Sequence, residues 1–424
     1  MSGERSYLLA VNGGSSSVKF ALYEAGSLHL ELSGHIQKIG APKGHFEIKD
    51  AAGKTLIDQY KPYPNNGIAI AQLIDWLKGA SGRYPMSAIG HRVVQGGRQH
   101  SAPEIITPAT IRSLEELIVL APDHLPAAIA TIRSFEDAFA KTPQVACYDT
   151  AFHRKMPWYA QYYPIPHNWR EEGLIRYGFH GLSYEYILTE LGAKGGDKII
   201  IAHLGNGASM AAIHQGVGID TTMGLTPTGG LVMGTRTGDI DPGLLFFLLL
   251  QKKIPPQELD DLFNKHAGLS ALSGGISDVQ ELLEKEGTDP NAAEALTIFC
   301  YQAKKFIGSL AAALGGLDTL VFTGGIGEHA PAIRQRICDG LQFLGIHIDP
   351  ALNEDPTLNE HPADNGHQAL REHPAGKKDQ TLSRSERETT ISTPESRVRV
   401  RVIATNEELM IARHTDKLLR SHNR

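Results

Sequence analysis

A strand, a turn of small residues and a second strand occur twice in this chain, half a chain length apart. The first copy reads LAVNGGSSSVKFALYEAG from Leu9, and the second reads IAHLGNGASMAAIHQG from Ile201. Aligning Ser17 with Ser209 also aligns Ala10 with Ala202 and Gly13 with Gly205, within a chain of 424 residues. A repeat this long implies two related domains rather than a solenoid, whose periods are shorter. In the first copy Lys19, Ala21 and Tyr23 alternate with Val18, Phe20 and Leu22, the pattern of a strand with one set of side chains on each face. If two such hairpins face each other across a cleft, their backbone N–H groups converge on one point. Clustered N–H groups of this kind form anion-binding nests, so the pair predicts a phosphate site. Neither copy is a P-loop, because G-x-x-x-x-G-K-[ST] is absent and a strand, not a helix, follows. A plain β-hairpin explains one copy as well as a phosphate site does. Two copies at this spacing favour the phosphate.

The rest of the composition narrows the class. Hydrophobic residues make up 41% and charged residues 21%, as in an ordinary water-soluble protein large enough for two cores. The formal net charge of −6 argues against nucleic-acid binding, which wants a basic surplus. Cys147, Cys300 and Cys338 are far apart and form no C-x-x-C, which points to a reducing, cytoplasmic setting without disulfides or zinc. No charged segment followed by a long apolar one opens the chain, so no signal peptide is expected. The longest apolar run, residues 244–250, is far too short to span a bilayer and is read as a buried helix.

Strands and helices alternate along the chain. Residues 7–10, 18–23, 144–149 and 319–325 read as strands, and 68–77 as a helix. Thr107-Pro108, Asp241-Pro242 and Asp289-Pro290 each place a capping residue before a proline in the first helical turn. The last of these helices should run to Leu314 and stop at Gly315-Gly316. Thr405 with Glu408, and Ser277 with Gln280, have capping-box spacing. Residues 353–397 are polar and include a segment too poor in branched apolar residues to offset its ordering entropy. Most of it is read as a mobile insertion. His361, His367 and His373 within it match no ligand spacing and read as loop residues rather than a metal tract.

VNGGSSSVK and AHLGNGAS resemble two signature segments of the acetate kinase family. GHRVVQGG, YDTAFH, RYGFHG, GLVMGTRTGDIDPG, VFTGGIGEHA and TNEELMIA are similar to family segments in the same order, and together they cover nearly the whole chain except the insertion. The resemblance implies an α/β fold of the actin, Hsp70 and sugar kinase type. Two related domains, each a ribonuclease H-like mixed sheet flanked by helices, would enclose an active-site cleft. The implied acid-binding domain is 1–150 plus 408–424, and the nucleotide-binding domain is 151–407. The implied activity is reversible transfer of the γ-phosphoryl group of ATP to acetate, with Mg²⁺ or Mn²⁺, in a homodimer. Propionate or butyrate as acceptor is the alternative within the family.

Phosphoryl transfer mainly positions and neutralises, since the moving group spreads charge over three oxygens. Arg236 lies in a glycine-flanked loop, and the resemblance puts it at the carboxylate and the transferring group, with Arg92 as its partner on the acid. Arginine's planar fork suits both anions. The resemblance makes His180 a donor to the transition-state oxygens, although a lone histidine among aromatic and glycine residues is more often structural. His124 is a weaker candidate for that role. Asp149 ends a strand, where open α/β sheets place ligands. A carboxylic acid substrate is already ionised near neutral pH, so Asp149 is cast in metal binding or positioning rather than as a base. Asn12 and Glu407 look like the family's magnesium-site residues. Glu407 could equally be an ordinary acid in the first turn of a helix. Val94, Phe179 and Pro227 would line a small acid pocket. Lys19, His203, Leu204, Gly205, Asn206 and Gly207 would face the nucleotide. So would Asp278, Val279 and Gln280, and Gly324, Gly325, Ile326, Gly327, Glu328 and His329.

Two other classes compete. Gly325-x-Gly327-x-x-Ala330 nearly matches a dinucleotide fingerprint, which would make the chain an NAD-dependent oxidoreductase. A non-transferring ATPase of the same superfold would keep the hairpins but needs no Arg92 and Arg236 in an acceptor pocket. The chain also departs from the family pattern. Asp123 and Leu125 flank His124 where the family reads Leu and Asn, and Asp123 would repel an anionic acid unless it turns away or pairs. His329 and Gln280 replace the usual Asn and Arg, and Leu182 and Tyr184 replace the usual Thr and His after the FHG segment.

Overall fold

The strands assemble into two sheets with one plan. The computed structural model describes residues 5–14, 16–355 and 388–422. The first sheet contains β1 (Tyr7–Gly13), β2 (Ser17–Glu24), β3 (Leu30–Gln37), β4 (Gly44–Asp50), β5 (Thr55–Lys61), β6 (Met86–Val93), β7 (Glu104–Ile105) and β8 (Gln144–Tyr148), in the order β5-β4-β3-β2-β1-β6-β8-β7. The second contains β9 (Lys198–Leu204), β10 (Ala208–His214), β11 (Val217–Thr221), β12 (Thr319–Thr323), β13 (Glu388–Thr390) and β14 (Arg399–Ile403), in the order β11-β10-β9-β12-β14-β13. Three strands run antiparallel as β3-β2-β1, then β1, β6 and β8 run parallel. The second sheet repeats this as β11-β10-β9, then β9, β12 and β14. The repeat found in the sequence is therefore the first hairpin of each copy.

Each sheet is covered because its strands carry apolar residues on both faces. Phe20 and Leu22 of β2 pack with Phe46, Leu73 and Phe135 on one side, while Ala21 and Tyr23 pack on the other. That second side is a shared layer. It contains the helices Gly181–Leu191 and Glu407–His422, with Tyr184, Ile187 and Ile411 buried among residues of both sheets. Helix Glu407–His422 lies so close to β6 that a Cβ on Gly90 would collide with Ile411 and Thr415. The outer face of the second sheet is closed by the helix Pro290–Leu314. Asp289 caps it through Asn291 N, its stripe Leu296, Phe299, Ala303, Ile307 and Leu310 is buried, and it ends at Gly315 with φ 65°.

Several expectations need correction. Residues 244–250 do form a helix, Pro242–Leu250, but it is not buried: Leu244, Phe246, Phe247 and Leu250 are 44–64% exposed. Asn406, not Thr405, caps the last helix by accepting from Leu409 N, and Glu408 accepts from Asn12 instead of closing a capping box. Asp278, not Ser277, caps Val279–Lys285 by accepting from Glu281 N. In each case the acid or amide one position on reaches the free N–H better than the hydroxyl. Both ends of 353–397 are packed: Asn353 is buried and bonds Arg334 Nε at 2.8 Å, and Ile391 is a core residue. The centre of that segment, with His361, His367 and His373, lies outside the described residues. The dehydrogenase reading fails on topology. β9, β10 and β11 form an antiparallel meander, whereas a dinucleotide fold needs a parallel sheet with its fingerprint after the first strand.

The crowding at Gly90 sets a test. Gly90→Ala should lower the unfolding free energy in urea by about 1–3 kcal/mol, the usual cost of overpacking. A midpoint equal to that of the parent would contradict the contact between β6 and the last helix.

Candidate active site

Both glycine turns open onto one cleft of about 530 Å³ between the sheets. The first turn brings Gly13, Gly14, Ser16 and Ser17 to its wall, with Lys19 from β2 beside them, and is closed by Gly14 N donating to Ser17 O at 2.7 Å. The second brings Gly205, Asn206 and Gly207, closed by Gly205 N donating to Gly207 O at 3.2 Å. A concavity of about 500 Å³ at the edge strand β7, lined by Ile105, Phe139 and Gln144, receives none of the motif residues.

One wall is organised around a half-buried guanidinium. Arg92, near the end of β6, donates to Asp149 Oδ2 from Nη2 at 2.6 Å and from Nε at 3.0 Å, and to Asn12 Oδ1 from Nη1 at 3.0 Å. Glu407 Oε2 lies 3.7 Å from Nη1. Burial opposes the charge on Arg92, but Asp149 and Glu407 outweigh it and hold its pKa above the ordinary value. Burial also pushes the Asp149 carboxyl up, with Arg92 pulling the other way. Glu407 is held below its ordinary value: burial works against this, and Arg92 and His203 prevail. Three of Arg92's five donors are engaged in these bonds, which leaves two for a ligand.

Asp149 Oδ1 is fully buried and has no hydrogen-bond partner. A buried carboxylate oxygen left in this way is costly unless a cation meets it. No cluster of three His, Cys, Asp or Glu occurs among the described residues. Magnesium fits such a site, since it commonly takes one or two carboxylates and completes its shell with phosphate and water. Glu407, one of three further carboxylates on the cleft with Glu328 and Glu408, is the one that also faces Arg92. Asn12 has both ends of its amide engaged, by Arg92 and by Glu407 and Glu408, so it spaces the charges.

The facing wall carries a cation in the opposite condition. Arg236 is held in a loop pinned by Met233 N to Arg236 O, Gly234 N to Asn206 O, and Ala267 N to Thr235 O. Gly268, at φ 60°, sits against this loop where a Cβ would strike Met233 O. Arg236 Nη1 donates to Pro227 O at 2.7 Å. No carboxylate among the described residues lies within ion-pair distance of it. Burial lowers its pKa to about 10, so it stays charged at neutral pH. It is a half-buried cation on which the charge of Asp123 acts from beyond ion-pair distance.

His180 stands between the two arginines. Its φ of 57° is left-handed, unusual for a residue other than glycine, and the turn is tight because Gly181 N donates to Asp149 O at 3.1 Å. Burial, His203, Arg92 and Arg236 hold its pKa well below the ordinary value, so the imidazole is neutral. His203 stacks on it, with centroids 4.3 Å apart. His124 also lines the cleft, and burial with Arg236 and Arg92 lowers it to about 4. Val94, Phe179 and Pro227 are in the same lining. Asp123 pairs with Lys265 Nζ at 3.3 Å while its charge still acts on His124 and Arg236, and Leu125 is a core residue at the start of the helix Leu125–Ala138.

On the nucleotide side Gly324, Gly325, Glu328 and His329 reach the cleft. Residues 324–329 form a short helix rather than a loop, with Glu328 Oε1 accepting from Gly324 N at 2.8 Å. Leu204, Ile326, Gly327, Asp278, Val279 and Gln280 lie outside this lining. Leu204 and Val279 are core residues, and Gln280 donates to Glu284 Oε1. Cleft residues that sequence reasoning passed over include Ser16, Ser17, Thr405 and Glu408. The serines sat in the quoted hairpin, but a hydroxyl there reads first as turn chemistry.

The chain resembles known proteins in sequence and in fold. The sequence matches the profile of the Acetokinase family over residues 7–365. The acetate kinase of Rhodopseudomonas palustris (strain ATCC BAA-98 / CGA009) is 41% identical over 421 residues, spanning 97% of this chain and 98% of that protein. The crystal structure of Porphyromonas gingivalis acetate kinase superposes with a TM-score of 0.79 at 36% identity, covering 98% of this chain and 100% of that one. A propionate kinase structure from Francisella tularensis gives 0.82 at 35% identity, covering 96% and 98%.

The buried histidines fix a pH dependence. Burial lowers His91 and His153 to about 4 from an ordinary 6.5. Between those values the unfolded chain binds more protons than the folded one. Stability is therefore complete above about pH 6.5 and falls as pH drops toward 4, by up to about 1.4 kcal/mol per histidine per pH unit. Urea unfolding at pH 7.0 and 5.0 should give a clearly lower free energy at 5.0. Equal values would contradict neutral burial of these side chains.

Proposed function

The chain belongs to the acetokinase family, and on that premise we propose how its cleft makes an acyl phosphate. The reaction is transfer of the γ-phosphoryl group of ATP to a carboxylate oxygen of acetate, giving acetyl phosphate and ADP. The observation that carries the assignment of roles is Arg236: a half-buried guanidinium with no carboxylate within ion-pair distance among the described residues, on the same cleft as two opposed glycine turns.

The nucleotide's phosphates lie between the turns, where backbone N–H groups and Lys19 meet them. Gly205–Gly207 and Gly324–Gly325 carry the nucleotide side. Arg236 and the free donors of Arg92 hold the acid's carboxylate, and Val94, Phe179 and Pro227 enclose its methyl group. The acid enters ionised, so no base is required, and Asp149 stays paired with Arg92. Arg236 and the Nε2 of His180 donate to the equatorial oxygens as charge builds there. A magnesium or manganese ion at Asp149 and Glu407, spaced by Asn12, would neutralise the phosphate tail. Closure of the cleft keeps out water, which would otherwise take the phosphoryl group.

The exposed apolar face of Pro242–Leu250 supports the homodimer, since a helix apolar all round is covered in the working protein. Three buried free thiols support a cytoplasmic location. Among the described residues no helix is long and apolar enough to cross a membrane.

A coupled assay for ADP with acetate, propionate, butyrate or no acid tests the reaction. Acetate should give the highest kcat/KM. Fit into a small pocket changes binding by about 0.8 kcal/mol per methylene, so propionate should follow within a few-fold to tenfold. ADP release that does not depend on acid would contradict the assignment. Arg236→Ala should cut kcat by about 10³ to 10⁵, roughly 4–7 kcal/mol. A variant that keeps more than a tenth of parental turnover would remove Arg236 from the transition state.

A further inference from the structure

Behind the cleft, two hydroxyls lead in a line to His180. Ser209 Oγ, on β10, lies 2.8 Å from His180 Nδ1, and Tyr184 Oη lies 2.5 Å from the same Oγ. Both hydroxyl-bearing residues are fully buried. Tyr184 is one of the positions at which the chain departs from the family segment after FHG.

The direction of the protons follows from counting acceptors. The phenol has one proton, and Ser209 Oγ is its only partner among the described residues. Reversing the line would have Ser209 donate to the phenol, leaving a buried phenolic proton with nothing to accept it. The satisfied arrangement has Tyr184 donate to Ser209, and Ser209 donate to His180 Nδ1. A neutral imidazole that accepts at Nδ1 carries its hydrogen on Nε2. That nitrogen faces the second glycine turn beside Arg236. A Cβ on Gly207 would lie 3.5 Å from His180 Nε2 and 2.9 Å from Arg236 Nη2. The stacked neighbour is built alike: Thr405 Oγ1 donates to Ser183 Oγ at 2.9 Å, and Ser183 Oγ lies 2.9 Å from His203 Nδ1.

We propose that Tyr184 and Ser209 are positioning residues of phosphoryl transfer, whose hydroxyls hold His180 as the Nε2–H tautomer with that N–H turned to the moving group. The proposal rests on the reading of the cleft as a phosphoryl-transfer site. A histidine at position 184 could offer either a bare nitrogen or an N–H. A phenol in this setting donates, so the polarity of the line is set by residue type. The hydroxyls touch neither substrate; they act through one imidazole.

Nitrogen NMR of the full-length protein with ¹⁵N-labelled histidine, assigned by loss of signal in His180→Gln, reads the tautomer directly. The expected wild-type spectrum at pH 7 has a protonated Nε2 and a bare Nδ1 for His180. A protonated Nδ1 overturns the proposal without any variant having to fold. Kinetics supply the functional half. Ser209→Ala should lower kcat by about tenfold or more, since loss of a well-aimed donor is costly in the transition state. Tyr184→Phe should lower it a few-fold, and both should leave KM for ATP and acetate within twofold. The double variant should be no slower than Ser209→Ala, because both changes act on the same nitrogen. Additive losses, or single variants with parental kcat, would overturn it. His180→Gln at parental kcat would instead overturn the reading of the cleft on which the proposal rests.

Discussion

The charge of Arg92, largely withdrawn from water, is the constraint on which the cleft depends. A guanidinium cannot shed its proton, so its surroundings must supply anions and acceptors. They come from three separate pieces of chain: Asn12 at the end of β1, Asp149 after β8, and Glu407 at the start of the last helix. Arg92 sits on β6 between β1 and β8, in register with Cys147, so the strand order brings these ends together. Removing one partner from such a group leaves an uncompensated charge, at a cost of about 3–5 kcal/mol. The same network therefore ties the C-terminal helix to the first sheet and shapes the wall of the site.

Duplication gives the two walls the same backbone but not the same electrostatics. Each half offers a hairpin whose turn faces the cleft, and each contributes an arginine. Arg92 is largely satisfied by the protein, whereas among the described residues the side chain of Arg236 hydrogen-bonds only a carbonyl oxygen. The satisfied arginine orders the site, and the unsatisfied one leaves room for anionic ligand. His180, neutral between them, supplies a hydrogen-bond donor without adding a third positive charge.

Much of this could be read from residues alone where the chemistry is local. The paired hairpins, the helix starts at Thr107, Asp241 and Asp289, and the stop at Gly315 follow from rules that act over a few residues. What escaped depends on contacts distant in sequence. Asn406 rather than Thr405 caps the last helix because Thr405 is drawn to Ser183, more than two hundred residues away. Helix Pro242–Leu250 looked like core because composition records apolar character, not what lies beside it. Asp123 looked like a threat to an anionic substrate until Lys265, on a different helix, was found to hold it. Val279 and Gln280 belong to a matching segment, yet the first packs inward and the second faces its own helix.

The central claim is that opposed hairpins grip the nucleotide's phosphates while Arg236 meets the group in flight. A crystal structure with ADP, acetate and aluminium fluoride tests it most directly, because the fluoride occupies the place of the transferring phosphoryl. The account predicts a planar group within hydrogen-bond reach of Arg236 and His180 Nε2, with the diphosphate lying between the turns at Gly13–Gly14 and Gly205–Gly207. Nucleotide phosphates bound against one sheet only, with the fluoride group out of reach of Arg236, would contradict it.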